Sequence, residues 1–187
     1  VKRSDILQWI TANSFNICVA GTHGKTTVSS MIAHILRDTG YGCNAFLGGI
    51  AANYNSNFWS HENNVVVVEA DEYDRSFLKL SPDIAIITAT DPDHLDIYGT
   101  AEEVENAFVQ FSEKVKTGGC LITKLGLHKE KAFTVPDHCT YDLTNSLANI
   151  HTQNLVVDNG TYRFDVINNY WAINDVVLNM GGLHNIE

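Results

Sequence analysis

Basic charge, paired cysteines and long apolar runs are all scarce in this 187-residue chain, and each scarcity narrows what it can do. Only 12 Lys and Arg stand against 22 Asp and Glu, a formal net charge of −10. That balance argues against a broad nucleic-acid or anionic-membrane surface. It leaves room for a local phosphate site, because backbone N–H groups, a helix N-terminus and one lysine suffice to hold a polyphosphate. Cys18, Cys43, Cys120 and Cys139 show no C-x-x-C spacing, and two of them sit in apolar runs. Reduced thiols in a cytosolic protein are expected. No apolar run approaches the roughly 20 residues of a membrane span, and the opening VKRSDILQWI lacks the pattern of a signal peptide. The expectation is a soluble cytoplasmic protein without membrane insertion. Internal repeats and low-complexity linkers are also missing.

What is present fits one α/β domain: 44% hydrophobic and 18% charged residues are ordinary for a chain that buries a core. SDILQWIT, from Ser4 to Thr11, reads as a lead-in helix capped by Ser4 or Asp5. NICVA is a buried strand, and Lys25 to Arg37 then places Val28, Met31, Ile32, Ile35 and Leu36 on one helical face. CNAFLGGI is a second strand ending in a glycine pair. VVVVEADE and DIAIITAT are a third and a fourth, their unbroken apolar runs implying burial on both faces of a parallel sheet. Thr100 and Glu103 form a capping box for a helix that turns Val104, Phe108, Phe111 and Val115 inward, and GGCLITK is a fifth strand. Strands alternating with helical segments predict a mostly parallel, doubly wound sheet. The last third alternates instead, with Asn159-Gly160 between β-rich runs, so a hairpin within a small antiparallel sheet is expected near the C-terminus.

Three constellations carry chemistry. AGTHGKTT follows a buried strand and opens a helix, but Val19 stands where the phosphate-loop pattern G-x-x-x-x-G-K-[ST] needs its first glycine. The physics survives that mismatch. Gly21 and Gly24 let the backbone wrap an anion, the helix dipole points there, Lys25 reaches terminal phosphates and Thr26 offers a hydroxyl to Mg²⁺. A loop histidine such as His23 is by itself more often solvated than catalytic. In VVVVEADEYDRSF, Glu69 ends a buried strand, where open α/β sheets place ligands; Asp71, Glu72 and Asp74 follow, readable individually as a solvated acidic loop. In TATDPDHLDIYG, Asp91, Asp93, His94 and Asp96 leave the same sheet edge, and His94 is the favoured metal ligand there. A guanine-reading N-K-x-D is not found, the nearest segment being TKLG at 123–126. That argues against a GTPase switch.

AGTHGKTT, VVEADEYDRSFLKLSPDIAIIT, DPDHLDIYG and the terminal GGLHNIE together resemble the central, ATP-binding domain of the Mur ligases over essentially the whole chain. The resemblance implies a P-loop α/β fold spanning residues 1–187 and ATP-dependent amide-bond formation through an acyl phosphate. It is strongest to the member that joins UDP-N-acetylmuramate and L-alanine, with a murein-peptide recycling ligase as the alternative. His23 belongs to the P-loop variant of those two. By the same resemblance, Gly21, Thr22, His23, Gly24, Lys25, Thr26 and Thr27 hold ATP phosphates, and Asn57 faces them. His184 and Asn185 contact adenine. Thr26 and Glu69 hold one Mg²⁺, and His94 helps hold a second; Lys25, Glu69 and His94 are the catalytic set. The chain departs from the family pattern at Ala89, where Asn is frequent, and at Gly181 to Asn185, where Pro-Gly-Arg-His-Asn is frequent. A fragment of a three-domain enzyme is expected, one that binds nucleotide but is inactive as a ligase in isolation.

Overall fold

The computed structural model describes residues 2–187, which divide into two compact units, one formed by residues 2–122 and 127–138 and the other by 123–126 and 139–187. In the first, α1 (Arg3–Thr11) leads into β1 (Phe15–Ala20), α2 (Lys25–Asp38), β2 (Asn44–Ala51), β3 (Ser56–Trp59), β4 (Val65–Glu69) and β5 (Ile84–Ile87). Then come α3 (Leu95–Tyr98), α4 (Ala101–Ser112) and β6 (Cys120–Lys124), whose last two residues enter the second unit. Strand order is β6-β5-β1-β4-β2-β3. β1 pairs in parallel with both β4 and β5, and β2 pairs in parallel with β4.

Continuous apolar strands are explained by burial on both sides. Cys18 and Ala20 of β1 join Val66 and Val68 of β4 in a core with Phe77, Phe108 and Phe111. The alternate residues Ile17 and Val19 join Val67, Ala45 and Leu47 in another, covered by Val28, Ile32, Leu36 and the buried Ala33 of α2. Successive side chains of a strand point to opposite faces, so one run of four apolar residues serves two layers. The helical stripe predicted for α2 is narrower in fact, since Ile35 lies outside it and is exposed.

Helix ends follow from local chemistry. Thr100 caps α4 by accepting the Glu103 N–H at 3.2 Å, while the Glu103 carboxylate pairs with Arg75. For α1 the cap is Lys2 rather than Ser4 or Asp5. Asp5 sits one turn in, accepts the Lys2 N–H at 2.9 Å and binds Lys79 Nζ, because a carboxylate at the third position can reach back to a free donor. β2 does not stop at its glycine pair but runs to Ala51 and folds back on β3, a short edge strand outside the sequence reading.

The second unit contains β8 (Ile150–Asp158), β9 (Thr161–Asn168) and β10 (Ala172–Leu178), together with most of β7 (Asp137–Asp142). Asn159 and Gly160 both take positive φ, 48° and 84°, and Asp158 faces Thr161, which gives the hairpin its predicted twist-matched turn. β9–β10 is antiparallel as well, whereas β7 pairs with β8 in parallel. Both β8 and β10 carry register shifts, next to Asn154 and Asp175, whose φ values are positive. Asp165 on β9 ties them by accepting from Asp175 N at 2.8 Å and Asn154 Nδ2 at 2.6 Å. Those bonds, the backbone one first, hold its carboxyl below the usual range.

Cys18 and Cys43 are buried thiols. Burial pushes the Cys18 thiol up to about 12. Among the described residues, no helix is long and apolar enough to cross a membrane.

Candidate functional site

Parallel pairing brings the C-terminal ends of β1, β4 and β5 level, Val19 opposite Glu69 and Ala20 opposite Ile87. The chain leaves β1 toward β2 on one side of the sheet and leaves β5 toward β6 on the other. Such a reversal opens a crevice above the strand ends, where open α/β sheets bind ligands.

The loop from Gly21 to Gly24 fills that position. Gly21 has φ +133°, and a Cβ there would collide with the Thr88 hydroxyl and approach Ala89 N to 2.9 Å. The loop is fastened from β5's extension: Thr22 N donates to Ala89 O at 3.1 Å, and Thr88 Oγ1 lies within hydrogen-bond reach of the carbonyls of Ala20 and His23, which share its one proton. Gly24 is the N-cap of α2, left-handed at φ 80° and ψ −8°. With no side chain capping them, the first N–H groups of α2, beginning with Lys25, Thr26 and Thr27, form a helix end suited to an anion. The missing first glycine is thereby explained. Val19 is a fully buried strand residue, and the turn begins only at Gly21.

Thr26 and Glu69, 43 positions apart, meet: Thr26 Oγ1 donates to Glu69 Oε1 at 3.0 Å. The other carboxylate oxygen accepts the Gly48 N–H at 2.8 Å. A Cβ on Gly48 would overlap the Glu69 carboxylate, and one on Gly49 would come to 3.0 Å from Thr26 Cγ2. The glycine pair of β2 therefore clears the space in which hydroxyl and carboxylate converge. Among the described residues, no three His, Cys, Asp or Glu side chains form a metal cage. One hydroxyl and one carboxylate do fit Mg²⁺, which keeps several waters and completes its shell with phosphate oxygens.

Lys25 Nζ donates to Gly21 O and to Glu72 Oε1, both at 2.8 Å. Glu72 is not the solvated loop residue its sequence neighbours suggest, being only 1% exposed. Its backbone carbonyl accepts the Tyr98 hydroxyl at 2.6 Å, and burial, partly opposed by the Arg75 cation, raises that phenol to about 12. His94 caps α3 in a left-handed conformation, φ 52°, its ring edge-on to Tyr73 and its Nε2 3.8 Å from both Glu72 Oε1 and Asp93 Oδ2. His23 is exposed, with Nε2 4.0 Å from Asp91.

The expected site residues thus fall into groups. Gly21 to Thr27 form the turn and helix start, Thr26 joins Glu69, and Lys25 and His94 meet through Glu72. Asn57 is exposed on the edge strand β3. His184 and Asn185 belong to the second unit, in a short turn where Asn185 Nδ2 donates to Gly181 O at 2.6 Å. Sequence reasoning named Glu72 only as one of three loop carboxylates and gave Gly48, in the glycine pair of β2, no role at the site. The available signals were an acidic residue three places after a strand-ending glutamate, and adjacent glycines inside a strand.

Comparison with known proteins extends the picture. The Mur ligase middle domain matches residues 19–187. The chain is 42% identical to the UDP-N-acetylmuramate–L-alanine ligase of Cytophaga hutchinsonii, over 99% of the chain and 40% of the relative. It is 44% identical to that of Parabacteroides distasonis, over 100% of the chain and 41% of the relative. It therefore spans about two fifths of the curated relatives' length. Among solved structures it resembles the UDP-N-acetylmuramate-alanine ligase of Thermotoga maritima, with a TM-score of 0.81 at 25% identity over 98% of the chain and 40% of that structure. A Neisseria UDP-N-acetylmuramate:L-alanyl-γ-D-glutamyl-meso-diaminopimelate ligase shares the fold, with a TM-score of 0.79 at 23% identity over 95% of the chain and 60% of that structure. The chain belongs to the Mur ligase middle-domain family.

Proposed function

We propose that residues 1–187 are the ATP-binding domain of a cytoplasmic UDP-N-acetylmuramate–L-alanine ligase, which acts in peptidoglycan precursor synthesis. The supporting observation is the helix start of α2, with free N–H groups, Lys25 beside them, and Thr26 bonded to the strand-ending Glu69. The relatives named above supply the substrates of the proposal, UDP-N-acetylmuramate and L-alanine.

In the proposed reaction, the sugar's lactyl carboxylate attacks the γ-phosphate of ATP, giving an acyl phosphate and ADP. The amine of L-alanine then displaces phosphate and forms the amide. Two anions must meet in the first step, so the chain's task is to neutralise charge and hold it in line. The amides from His23 to Thr27 and Lys25 Nζ bind the β- and γ-phosphates; the Thr22 N–H, expected among them, is instead held by Ala89 O at 3.1 Å. Gly21 permits the tight backbone path that aims those amides inward. Thr26 and Glu69 would hold one Mg²⁺ and His94 would help hold a second, supplying positive charge to the transferred phosphoryl group. Asn57, His184 and Asn185 remain candidates for nucleotide contacts. Nothing in the scheme needs a protein nucleophile.

The test is a coupled ADP-release assay on the whole protein that carries this domain, with ATP, Mg²⁺, UDP-N-acetylmuramate and either L-alanine or the recycling tripeptide. ADP release and amide product that require L-alanine, and that Glu69→Gln abolishes, are the expected outcome. Turnover with the tripeptide alone would transfer the assignment to the recycling ligase. The isolated chain is expected to give no amide product.

A further inference from the structure

The Glu72 carboxylate is an expensive feature unless it is used. It is 1% exposed, one oxygen is bound to Lys25 Nζ at 2.8 Å, and the other, Oε2, is buried without a hydrogen-bond partner. Burying a carboxylate with unfilled lone pairs costs free energy, and removing the lysine bonded to it would cost far more, since the nearby His94 Nε2 stands no closer than 3.8 Å to the same oxygen. Lys25 is therefore not free to swing away toward a ligand. Its ammonium has three donors, and two are committed, one to Gly21 O and one to Glu72 Oε1. A single N–H remains, and its direction is set by the other two.

We propose that Glu72 is the positioning residue of the phosphate loop: it pins Lys25 so that the one uncommitted N–H is presented to a phosphate oxygen of bound nucleotide. The proposal rests on the nucleotide role assigned to Lys25 above. The pin comes from far along the chain, 47 residues after the lysine, and is itself secured by Tyr98 donating to the Glu72 backbone carbonyl. A flexible four-carbon stem normally leaves a lysine head mobile. Here the loop carbonyl and the buried carboxylate fix it before any ligand arrives, so less ordering cost falls on binding.

Two measurements test this on the 187-residue chain. The first needs no nucleotide: competitive acylation of lysines, read by mass spectrometry, with Lys25 compared in the wild type, Glu72→Gln and Glu72→Asp. Release of the pin is expected to speed Lys25 labelling about tenfold in Glu72→Gln, the size of one lost charge-assisted hydrogen bond, with a smaller rise in the shortened Asp variant. Unchanged Lys25 labelling in both variants overturns the pin. The second is titration with a non-hydrolysable ATP analogue and Mg²⁺ across wild type, Glu72→Gln, Lys25→Met and the double variant. Glu72→Gln is expected to weaken binding by roughly three- to tenfold when Lys25 is present and to have no effect when Lys25 is Met. The same loss in both backgrounds, or tighter binding in Glu72→Gln, overturns the positioning role; tighter binding would mean that Glu72 withholds the lysine from phosphate. A wild-type chain that binds no nucleotide overturns the nucleotide role of Lys25, and the labelling result still decides whether Glu72 holds it.

Discussion

Replacing Gly21 by alanine tests the construction of the phosphate loop directly. The residue has φ +133°, where an L side chain is strained by about 1–3 kcal/mol. The new Cβ would also occupy the position of the Thr88 hydroxyl, whose proton is shared between the carbonyls of Ala20 and His23. Turning that hydroxyl away loses its one proton's shared hydrogen bond, worth roughly 1 kcal/mol. It still leaves the Cβ 2.9 Å from the backbone nitrogen of Ala89, which no side-chain rotation relieves. The expected destabilisation is about 2–4 kcal/mol, lowering the melting temperature by roughly 4–16 °C for a chain of this length. Gly40 is the control: its φ is +76° but a Cβ there meets nothing within 4 Å, so Gly40→Ala should cost only about 1–2 kcal/mol. Urea and thermal unfolding followed by circular dichroism compare the two. A Gly21→Ala chain no less stable than Gly40→Ala would refute the steric account of the loop.

The rest of the fold offers sharper checks of packing, capping and titration. Phe111 is fully buried and stacked on Phe77 at 5.0 Å, so Phe111→Ala should cost about 3–5 kcal/mol in urea unfolding, and a loss below about 1 kcal/mol would contradict the core described. Thr100→Ala removes the side-chain cap of α4 and should cost about 1 kcal/mol, recoverable by Thr100→Ser or Thr100→Asp but not by Thr100→Val. Tyr98 has a folded-state value of about 12, above its ordinary value near 10, so its contribution is complete below roughly pH 10 and is lost as pH rises through 12. Wild type should therefore lose more stability than Tyr98→Phe between pH 10 and pH 12; parallel curves would contradict the burial of that phenol.

Sequence made the parallel half of the fold plain because its strands are buried on both faces. VVVV and IAII admit few other interpretations once glycine turns and amphipathic helices separate them. β3 was illegible: four residues, two of them polar, on an exposed edge carry no periodicity, and only pairing with β2 makes them a strand. Ile35 shows the opposite error, an apolar residue at helical spacing that the sheet does not reach. At the site, Gly21, Lys25, Thr26 and Glu69 were legible because turn, helix start and strand end are local features. Glu72 was not. Its neighbours Asp71 and Asp74 are exposed, and what distinguishes Glu72 is a contact with Lys25 far away in sequence and a hydrogen bond from Tyr98. Likewise the strand glycines 48 and 49 acquire meaning only when the Glu69 carboxylate and Thr26 are seen beside them.

The most direct test of the central claim is calorimetric titration of the chain with a non-hydrolysable ATP analogue, with and without Mg²⁺, beside Lys25→Ala and a GTP analogue. Saturable ATP-analogue binding that Mg²⁺ strengthens, that Lys25→Ala abolishes and that exceeds binding of the GTP analogue is the predicted result. Binding undiminished in Lys25→Ala, or none by wild type with Mg²⁺ present, would contradict a nucleotide site built on this loop.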